Sequence, residues 1–320
     1  MKISLIVPCY NEEESLKPFY EELLRVSSEM KEYDFEFLFV DDGSKDKTLS
    51  ILKEFAQDDD RVKYIAFSKN FGKEAAMYAG FCNASGDYVA VMDADMQDPP
   101  SLLSEMVKIL EGGEYDSVAT RRKTRSGEPK LRSFFAKAFY KIMGKISNVD
   151  IVSGARDFRL MKRDMVDAIV SMCENNRFSK GIFGWIGFKT YWMSYDNVER
   201  VAGKTKWNFR KLFRYSVDGI VSFSDAPLKF ATFAAILSYL ISIPFLVLMI
   251  AALVSEYNYN FVNSFTLQWR TTMFALFALG GTILLSISIV GKYIAKIYGE
   301  VKGRPHYIVA QTNKDDIVKK

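Results

Sequence analysis

Short apolar runs alternate with helical patterns along the first part of the chain, and this alternation limits the possible fold more than any other feature. The runs that predict strands are residues 3–7, 35–40, 62–67, 88–92 and 117–120. The segments between them that predict helices are residues 13–29, 46–57, 72–84 and 100–110. Strands separated by helices of this length form right-handed βαβ units. The sequence therefore predicts an α/β, Rossmann-like fold with a mostly parallel sheet.

Polar or acidic segments follow three of the predicted strands, at residues 8–12, 41–44 and 93–98. Ligands of open α/β sheets bind outside the carboxyl ends of the strands, so we expect a binding site at this edge. No Gly-x-Gly-x-x-Gly follows the first strand, which argues against a dinucleotide site.

The first two segments suit a nucleotide. Asp41 and Asp42 could accept hydrogen bonds from ribose hydroxyls or a base edge, and Tyr10 could stack on a base. A purely structural interpretation stays open for each segment. Asn11 could cap a helix, and Asp-Asp-Gly-Ser could simply form a turn.

The third segment suits a metal ion. Asp93 and Asp95 follow a buried strand, and alternate residues of an extended chain point the same way. Two hard oxygen ligands that converge in this way favour Mg²⁺ or Mn²⁺, with substrate phosphates and water as further ligands. The alternative is a solvated acidic loop that ends the strand.

Composition excludes several other classes of site. The single histidine, His306, makes a Ser-His-Asp triad or a histidine-based zinc site very difficult to build. The three cysteines are far apart and lack metal or redox spacing, so we expect reduced packing residues. A net charge of +4 does not argue for a nucleic-acid partner. The first residues run straight into a predicted strand, so no secretory signal is expected.

The C-terminal third predicts a membrane anchor. Residues 204–222 have the pattern of a basic amphipathic helix that lies on an anionic membrane surface. Residues 228–254 and 271–294 are each apolar and long enough to span a bilayer. Lys and Arg flank the pair on the outside, which places both flanks in the cytoplasm.

We therefore expect a cytoplasmic catalytic domain (1–203), an interfacial helix region (204–227), a two-helix transmembrane domain (228–294) and a cytoplasmic tail (295–320). The polar end of this tail, up to Lys320, is expected to be mobile. Within the first domain, residues 153–159 predict a polar loop, a helix begins near Arg163, and residues 190–195 predict a last strand.

Several motifs together resemble the family 2 glycosyltransferases, which have a GT-A fold. They are Val-Pro-Cys-Tyr-Asn-Glu (7–12), Val-Asp-Asp-Gly-Ser (40–44), Ser-Lys-Asn-Phe-Gly-Lys (68–73) and Met-Asp-Ala-Asp-Met-Gln-Asp-Pro (92–99). Asp-Phe-Arg-Leu (157–160), residues 181–188, Gly-Lys-Thr-Lys-Trp (203–207) and the two C-terminal spans resemble the polyprenyl-phosphate glycosyltransferases, bacterial relatives of dolichol-phosphate mannose synthase. Relatives usually read Gly-x-Ser-Lys-Tyr in place of residues 203–207.

The resemblance implies inverting transfer of a sugar from a UDP-sugar to a polyprenyl phosphate such as undecaprenyl phosphate, with glucose or N-acetylglucosamine favoured and Mg²⁺ or Mn²⁺ as cofactor. It also implies an integral protein of the bacterial cell membrane and a homo-oligomer, possibly a tetramer. The residues implied in nucleotide-sugar binding are Pro8, Tyr10, Asn11, Glu12, Asp41, Asp42, Lys73, Asp93, Ala94 and Asp95.

The remaining roles implied by the resemblance concern metal, chemistry and acceptor. Asp95 and Gln97 are the implied metal ligands, and Asp93 and Asp157 the implied catalytic residues. The implied acceptor-phosphate residues are Arg121, Arg132 and Lys206. A phosphate monoester has a second pKa of about 6 and is largely dianionic already, so Asp157 could orient groups or stabilise charge instead of abstracting a proton.

Two other functions remain open at this point. A processive polysaccharide synthase of the same superfamily would need more spans and a Gln-x-x-Arg-Trp motif after the catalytic aspartate. The sequence Gln-Trp-Arg (268–270) lies between the two spans instead. A catalytically dead membrane scaffold would not need the carboxylates of the third segment.

Overall fold

The computed structural model describes residues 1–122, 152, 154–175, 177–195, 224, 226–254 and 264–318. The chain divides into two compact units. The first comprises Met1–Phe223 together with Gly303–Lys320, and the second comprises Ser224–Lys302.

The described part of the first unit has eight strands and six α-helices. The strands are β1 (Lys2–Cys9), β2 (Asp34–Asp41), β3 (Val62–Phe67), β4 (Tyr88–Val91), β5 (Ser117–Arg122), β6 (Ala155–Lys162), β7 (Thr190–Tyr195) and β8 (Val309–Thr312). The helices are α1 (Leu16–Glu29), α2 (Thr48–Asp58), α3 (Lys73–Asn83), α4 (Leu103–Glu111), α5 (Arg163–Ser171) and α6 (Ser179–Trp185). A 3₁₀ turn, Pro100–Leu102, leads into α4.

All eight strands form one sheet in the order β7-β5-β6-β4-β1-β2-β3-β8. The β1–β2, β1–β4, β2–β3 and β5–β7 pairs are parallel, whereas β6 runs antiparallel to β4 and β5, and β8 runs antiparallel to β3. The prediction of a mostly parallel α/β sheet is confirmed.

Apolar side chains fill both faces of the sheet. On one face, Phe37 and Phe39 of β2 pack with α1 and α2, where the rings of Tyr20 and Phe55 stack 4.2 Å apart. On the other face, α3 packs against the sheet so closely that a Cβ on Gly80 would lie 2.2 Å from Ile6 Cγ2. Burial on both faces explains why the parallel strands are largely apolar.

The prediction of a polar loop at residues 153–159 is wrong, because Ala155–Lys162 is strand β6. The strand contains three charged residues before its last position, Arg156, Asp157 and Arg159, and they hide its alternation in the sequence. Its apolar positions Phe158 and Leu160 are fully buried. Each of these charged side chains has a partner within the protein, so the charges do not mark a solvated loop.

The prediction of a mobile tail is also wrong for the described residues up to Val318. Strand β8 pairs with β3, and the ring of Tyr307 stacks on Phe67 with centroids 4.9 Å apart. Asn313 donates a hydrogen bond to Val62 O (3.0 Å) and accepts one from Tyr64 N (2.8 Å). The segment Gly303–Lys320 is thus part of the first unit.

The second unit consists of two long helices, α7 (Ala226–Val254) and α8 (Ser264–Val301). In the described residues, one segment is long and apolar enough to cross a membrane: Ala278–Val301 in α8, with a mean hydropathy of 1.6 and none of it buried. The apolar stretch Pro227–Ser238 of α7 is shorter. The two predicted spans lie on these two helices, and the span predicted at residues 228–254 stays a prediction.

Candidate active site

The loops that follow β1 and β2 meet at the carboxyl edge of the sheet. Asn11 adopts a left-handed backbone (φ 51°), and its N–H donates to Ser44 Oγ at 2.9 Å. Its side-chain oxygen accepts from the N–H of Lys45 at 2.8 Å. The Glu12 N–H donates to Thr48 Oγ1 at 2.8 Å. Asn11 therefore joins the two loops instead of capping a helix, and an Asn suits this backbone because it tolerates the left-handed region.

The second loop uses its two aspartates to shape the edge. Asp41 and Asp42 are 2% and 3% exposed. The carboxylate of Asp42 accepts hydrogen bonds from Asn70 Nδ2 (2.8 Å), Phe71 N (2.6 Å) and Gly72 N. Burial raises the pKa of Asp42 to about 6, although the two backbone N–H groups oppose this rise. Asp42 thereby holds the segment that leads into α3.

Gly43 allows this loop to approach its neighbour. Its φ of +66° is in the left-handed region, and a Cβ at this position would lie 2.4 Å from the backbone carbon of Lys69. Only glycine fits here, because any other residue would be strained and would also collide with backbone.

Two carboxylates and two ammonium groups form a charge cluster beside the end of β4. Lys73, the first residue of α3, bridges Asp93 (Nζ–Oδ1 2.6 Å) and Asp157, to which it forms a very short hydrogen bond. Lys180 of α6 lies on the other side, with its Nζ 3.9 Å from Asp157 Oδ1 and 3.2 Å from Ala155 O. The predicted catalytic residues Asp93 and Asp157 are thus brought together through Lys73.

This cluster keeps Asp157 ionised. Burial alone would raise its pKa, but the positive charges of Lys73 and then Lys180 hold the pKa of Asp157 well below its usual range. The same carboxylates raise the pKa of Lys73 against the opposing effect of burial. Burial raises the pKa of Asp93. An ionised carboxylate that already accepts hydrogen bonds from an ammonium is a weak proton acceptor.

The segment that follows β4 makes a tight turn through Asp95. Its Oδ1 accepts from the N–H of Gln97 at 3.1 Å, and Met96 between them has a φ of 59°. Asp95 is 9% exposed and its neighbour Ala94 is 3% exposed. The side chain of Asp95 therefore stands on a fixed backbone at the edge of the sheet.

Asp98 lies next to Gln97 in the chain, but its carboxylate is already paired with other side chains. It is completely buried, and its carboxylate accepts hydrogen bonds from two nitrogens of Arg156, Nε (2.9 Å to Oδ1) and Nη2 (3.0 Å to Oδ2). The hydroxyl of Tyr195 donates to Oδ1 as well. Asp98 is thus neutralised inside the protein by groups from β6 and β7.

The remaining donor set fits a hard divalent cation. Asp95 and Gln97 offer a carboxylate and an amide oxygen within one turn, as Mg²⁺ and Mn²⁺ prefer. Among the described residues, no three His, Cys, Asp or Glu side chains are grouped to hold an ion.

The predicted acceptor residues are only partly described. Arg121 is exposed near the end of β5, and its Nε donates to Ser194 Oγ of β7 at 2.8 Å. Arg132 and Lys206, together with the predicted basic helix at residues 204–222, lie outside the described residues. Pro8 and Tyr10 are half-buried at the end of β1 and in the loop after it.

Sequence reasoning missed several polar and charged residues around the site. Lys180, Arg156 and Tyr195 contact Asp157 or Asp98 but stand outside the motifs. The sequence offered one indication of their role. Arg156 directly precedes Asp157, in a segment where charged and apolar residues alternate. Arg159 lies within the Asp-Phe-Arg-Leu motif, and the sequence indicated for it only that Asp157 could orient it.

Arg159 is 4% exposed, and its guanidinium lies over the rings of Phe183 (4.5 Å) and Trp192 (5.4 Å). Its Nη1 donates to Ser117 Oγ and Thr190 Oγ1, at 3.0 and 3.1 Å. Burial lowers the pKa of Arg159 to about 9. The aromatic faces stabilise this buried cation, which supports the sheet beneath the charge cluster.

Known proteins are similar in sequence to this chain along most of its length. Residues 4–170 match the family described as Glycosyl transferase family 2. The "Putative glycosyltransferase CsbB" of Bacillus subtilis (strain 168) is 42% identical over 312 residues, which cover 97% of this chain and 92% of the relative. The "Bactoprenol glucosyl transferase" of Shigella phage SfV is 40% identical over 312 residues, with coverages of 97% and 98%.

Among solved structures, mannosyl-3-phosphoglycerate synthase from Rubrobacter xylanophilus is similar with a TM-score of 0.47 and 17% identity, over 69% of this chain and 72% of that chain. The family match covers more than half of the sequence, includes the loops after β1, β2 and β4, and extends through Asp157. The chain belongs to the family 2 glycosyltransferases.

Proposed function

We propose that this protein transfers a sugar from a UDP-sugar to a polyprenyl phosphate, with glucose as the favoured sugar and undecaprenyl phosphate as the favoured acceptor. The observation that carries the proposal is the near-complete match to relatives named bactoprenol glucosyl transferase, at 38–40% identity over 97–98% of this chain. The match includes the C-terminal helices as well as the catalytic unit. The charge cluster and the loops at the carboxyl edge contain the carboxylates and ammonium groups that such a reaction would use.

The donor would bind at the carboxyl edge of β1, β2 and β4. The loop around Tyr10 and Asn11 would contact the base, with Asp41 as an acceptor for the nucleoside. Glu12 and Pro8 belong to the same loop. Asp42 contributes indirectly, because it holds the backbone of residues 70–72 in front of Lys73.

Mg²⁺ or Mn²⁺ would be held by Asp95 and Gln97, with Asp93 near the metal or the nucleotide. When bound, the ion supplies positive charge that stabilises the departing diphosphate. Lys73 adds a second positive charge within the same site, because its ammonium lies 2.6 Å from Asp93.

Asp157 would act by positioning and charge. Its carboxylate is ionised and hydrogen-bonded to Lys73. The acceptor phosphate, with a second pKa of about 6, is largely dianionic near neutral pH and needs no base. We propose that Asp157 fixes Lys73 at the donor and stabilises positive charge that develops on the sugar. Direct displacement by the acceptor would invert the anomeric carbon and give a β-linked product from an α-linked donor.

The acceptor is expected from the membrane side. Its polyprenyl tail would stay in the bilayer that α7 and α8 span, while Arg121, Arg132 and Lys206 would contact its phosphate by charge-assisted hydrogen bonds. We place the first unit in the cytoplasm, from the Lys and Arg that flank the helices. We also expect association of several copies through the helices, as a homo-oligomer.

The test is incubation of the purified full-length protein with undecaprenyl phosphate, Mn²⁺ and a panel of UDP-sugars, followed by mass spectrometry of the extracted lipid. We expect UDP release that requires the lipid phosphate, and addition of one hexose with UDP-glucose. UDP release that does not require the lipid, with no sugar on any lipid, would contradict the proposal.

A further inference from the structure

Asp98, Arg156 and Tyr195 form a group, here called the edge clamp. This group has no role in the proposed function. Its three side chains come from three elements: the segment after β4, the start of β6 and the end of β7. Asp98 is fully buried and accepts from both partners, and the Arg156 side chain is 21% exposed. A buried ion pair with such geometry is costly to break, because the remaining charge has no water around it.

The clamp lies directly against the predicted metal ligands. Arg156 is followed by Asp157 in β6, and its Nη2 lies 3.5 Å from Gln97 Oε1. Asp98 follows Gln97 in the segment after β4. The clamp therefore ties the segment that carries Asp95 and Gln97 to the strand that carries Asp157.

The tied segment contains a backbone conformation that needs support. Met96 has a φ of 59°, which an ordinary side chain adopts only at an energetic cost. Residues in such conformations persist only where their surroundings hold them, and they are common at functional sites. In this turn, Asp95 is on one side of Met96, and Gln97 and the clamp are on the other.

We propose that the edge clamp is a positioning device that sets the affinity of the Asp95–Gln97 turn for a divalent cation bound with a nucleoside diphosphate. This inference rests on the proposed function. Asp98 acts in two ways. It fixes the end of the turn, and it neutralises Arg156, which lies 3.5 Å from the oxygen of Gln97 and without Asp98 would compete more strongly with the cation for that oxygen. Partners of metal ligands commonly change metal affinity by 10- to 100-fold when they are removed.

The experiment measures Mn²⁺ and UDP binding to the full-length protein in detergent, by calorimetry and by the Mn²⁺ paramagnetic resonance signal. The variants are Asp98→Asn, which removes the charge, and Tyr195→Phe, which removes one hydrogen bond. Asp116→Asn is the matched control. Asp116 pairs with Lys162 (3.6 Å) at the other end of β6, away from the site.

We expect Asp98→Asn to weaken Mn²⁺ binding in the presence of UDP by roughly 10-fold or more, and Tyr195→Phe by a smaller factor of about 3. Binding of UDP without metal is expected to change much less, because the clamp acts on the metal ligands. A merely structural role would lower the melting temperature and leave the ratio between metal-bound and metal-free UDP affinity unchanged. Asp116→Asn should bind as the wild type does.

Wild-type affinity for Mn²⁺ in both clamp variants would overturn the inference and leave the proposed function intact. If Asp98→Asn does not fold, Tyr195→Phe decides alone, and an unchanged Mn²⁺ affinity in that variant overturns the inference. A wild-type protein that binds UDP equally well with and without Mn²⁺ would contradict both the inference and the metal dependence of the proposed function.

Discussion

Replacing Glu36 by glutamine should destabilise the first unit. It should also remove the part of the pH dependence of its stability that comes from this carboxylate. Glu36 is 4% exposed near the start of β2, at the edge of the sheet away from the site. It accepts hydrogen bonds from Ser4 Oγ, from the N–H and Oγ of Ser85 (both 2.9 Å), and from Lys314 Nζ (3.0 Å). This one carboxylate therefore links β1, the start of β4 and the end of the chain.

The magnitude follows from the pKa of Glu36. Burial alone would raise it, but the hydrogen bonds from Ser4 and Ser85 and the charge of Lys314 lower it from 4.5 to about 2. That difference corresponds to about 3 kcal/mol of stability at neutral pH. Because the folded-state pKa is the lower one, this contribution is complete above about pH 4.5 and is lost as the pH falls toward 2.

The assay is urea or thermal unfolding of the full-length protein in detergent, at pH 7 and at two values between about 4.5 and 2.5. Glu36→Gln should be less stable than the wild type by up to about 3 kcal/mol at pH 7, and the difference should shrink as the pH falls. Glu54→Gln is the matched control, since Glu54 is an exposed glutamate of α2. If Glu36→Gln and Glu54→Gln lose the same small amount at every pH, the reasoning is refuted.

Three further predictions concern the site and the membrane. Gly43→Ala should cost about 1–3 kcal/mol of stability and weaken UDP binding, because of its positive φ and its contact with backbone; calorimetry that shows unchanged UDP affinity would contradict this. Asp157→Asn should lower turnover by roughly 100-fold or more, equally between about pH 6 and 9, because the carboxylate acts by charge; a recovery above pH 7 in the pH–rate profile would show a proton acceptor instead. In intact cells, a cysteine at Asn258 should react with an impermeant thiol reagent from outside, whereas one at the exposed Asp315 should not, and the reverse labelling would invert the topology.

The parallel part of the sheet could be predicted because its strands are buried on both faces. Residues 37–40 and 88–92 are continuous apolar runs, and turn-forming or polar residues follow each of them. Such runs need no knowledge of their neighbours to be recognised. The convergence of the three loops also followed from topology alone, since parallel strands end at one edge.

Strand β6 could not be predicted in the same way, because its charged residues look like a solvated loop. Asp157 is paired with Lys73, which lies 84 positions earlier in the chain, and Arg156 with Asp98, which lies 58 positions earlier. Partners so far apart have no local pattern in the sequence. Without them, the charges that build the site are indistinguishable from surface charges.

The position of the end of the chain could not be predicted for the same reason. Strand β8 is only four residues long and exposed along much of its length, so its own sequence carries little strand signal. Its place is decided by long-range contacts such as the Tyr307–Phe67 stack and the Lys314–Glu36 ion pair. Local propensity cannot reveal contacts of this kind.

The most direct test of the account follows labelled glucose from UDP-glucose into the lipid phase, in the presence of undecaprenyl phosphate and Mn²⁺. Asp95→Asn is the control, because it keeps the fold of the sheet edge and removes the carboxylate of the proposed metal site. The account predicts that the wild type transfers label to a lipid that releases glucose on mild acid hydrolysis, and that Asp95→Asn does not. Label that appears in a polymer or as free glucose, with none in the lipid, would contradict the claim that this site transfers sugar to a polyprenyl phosphate.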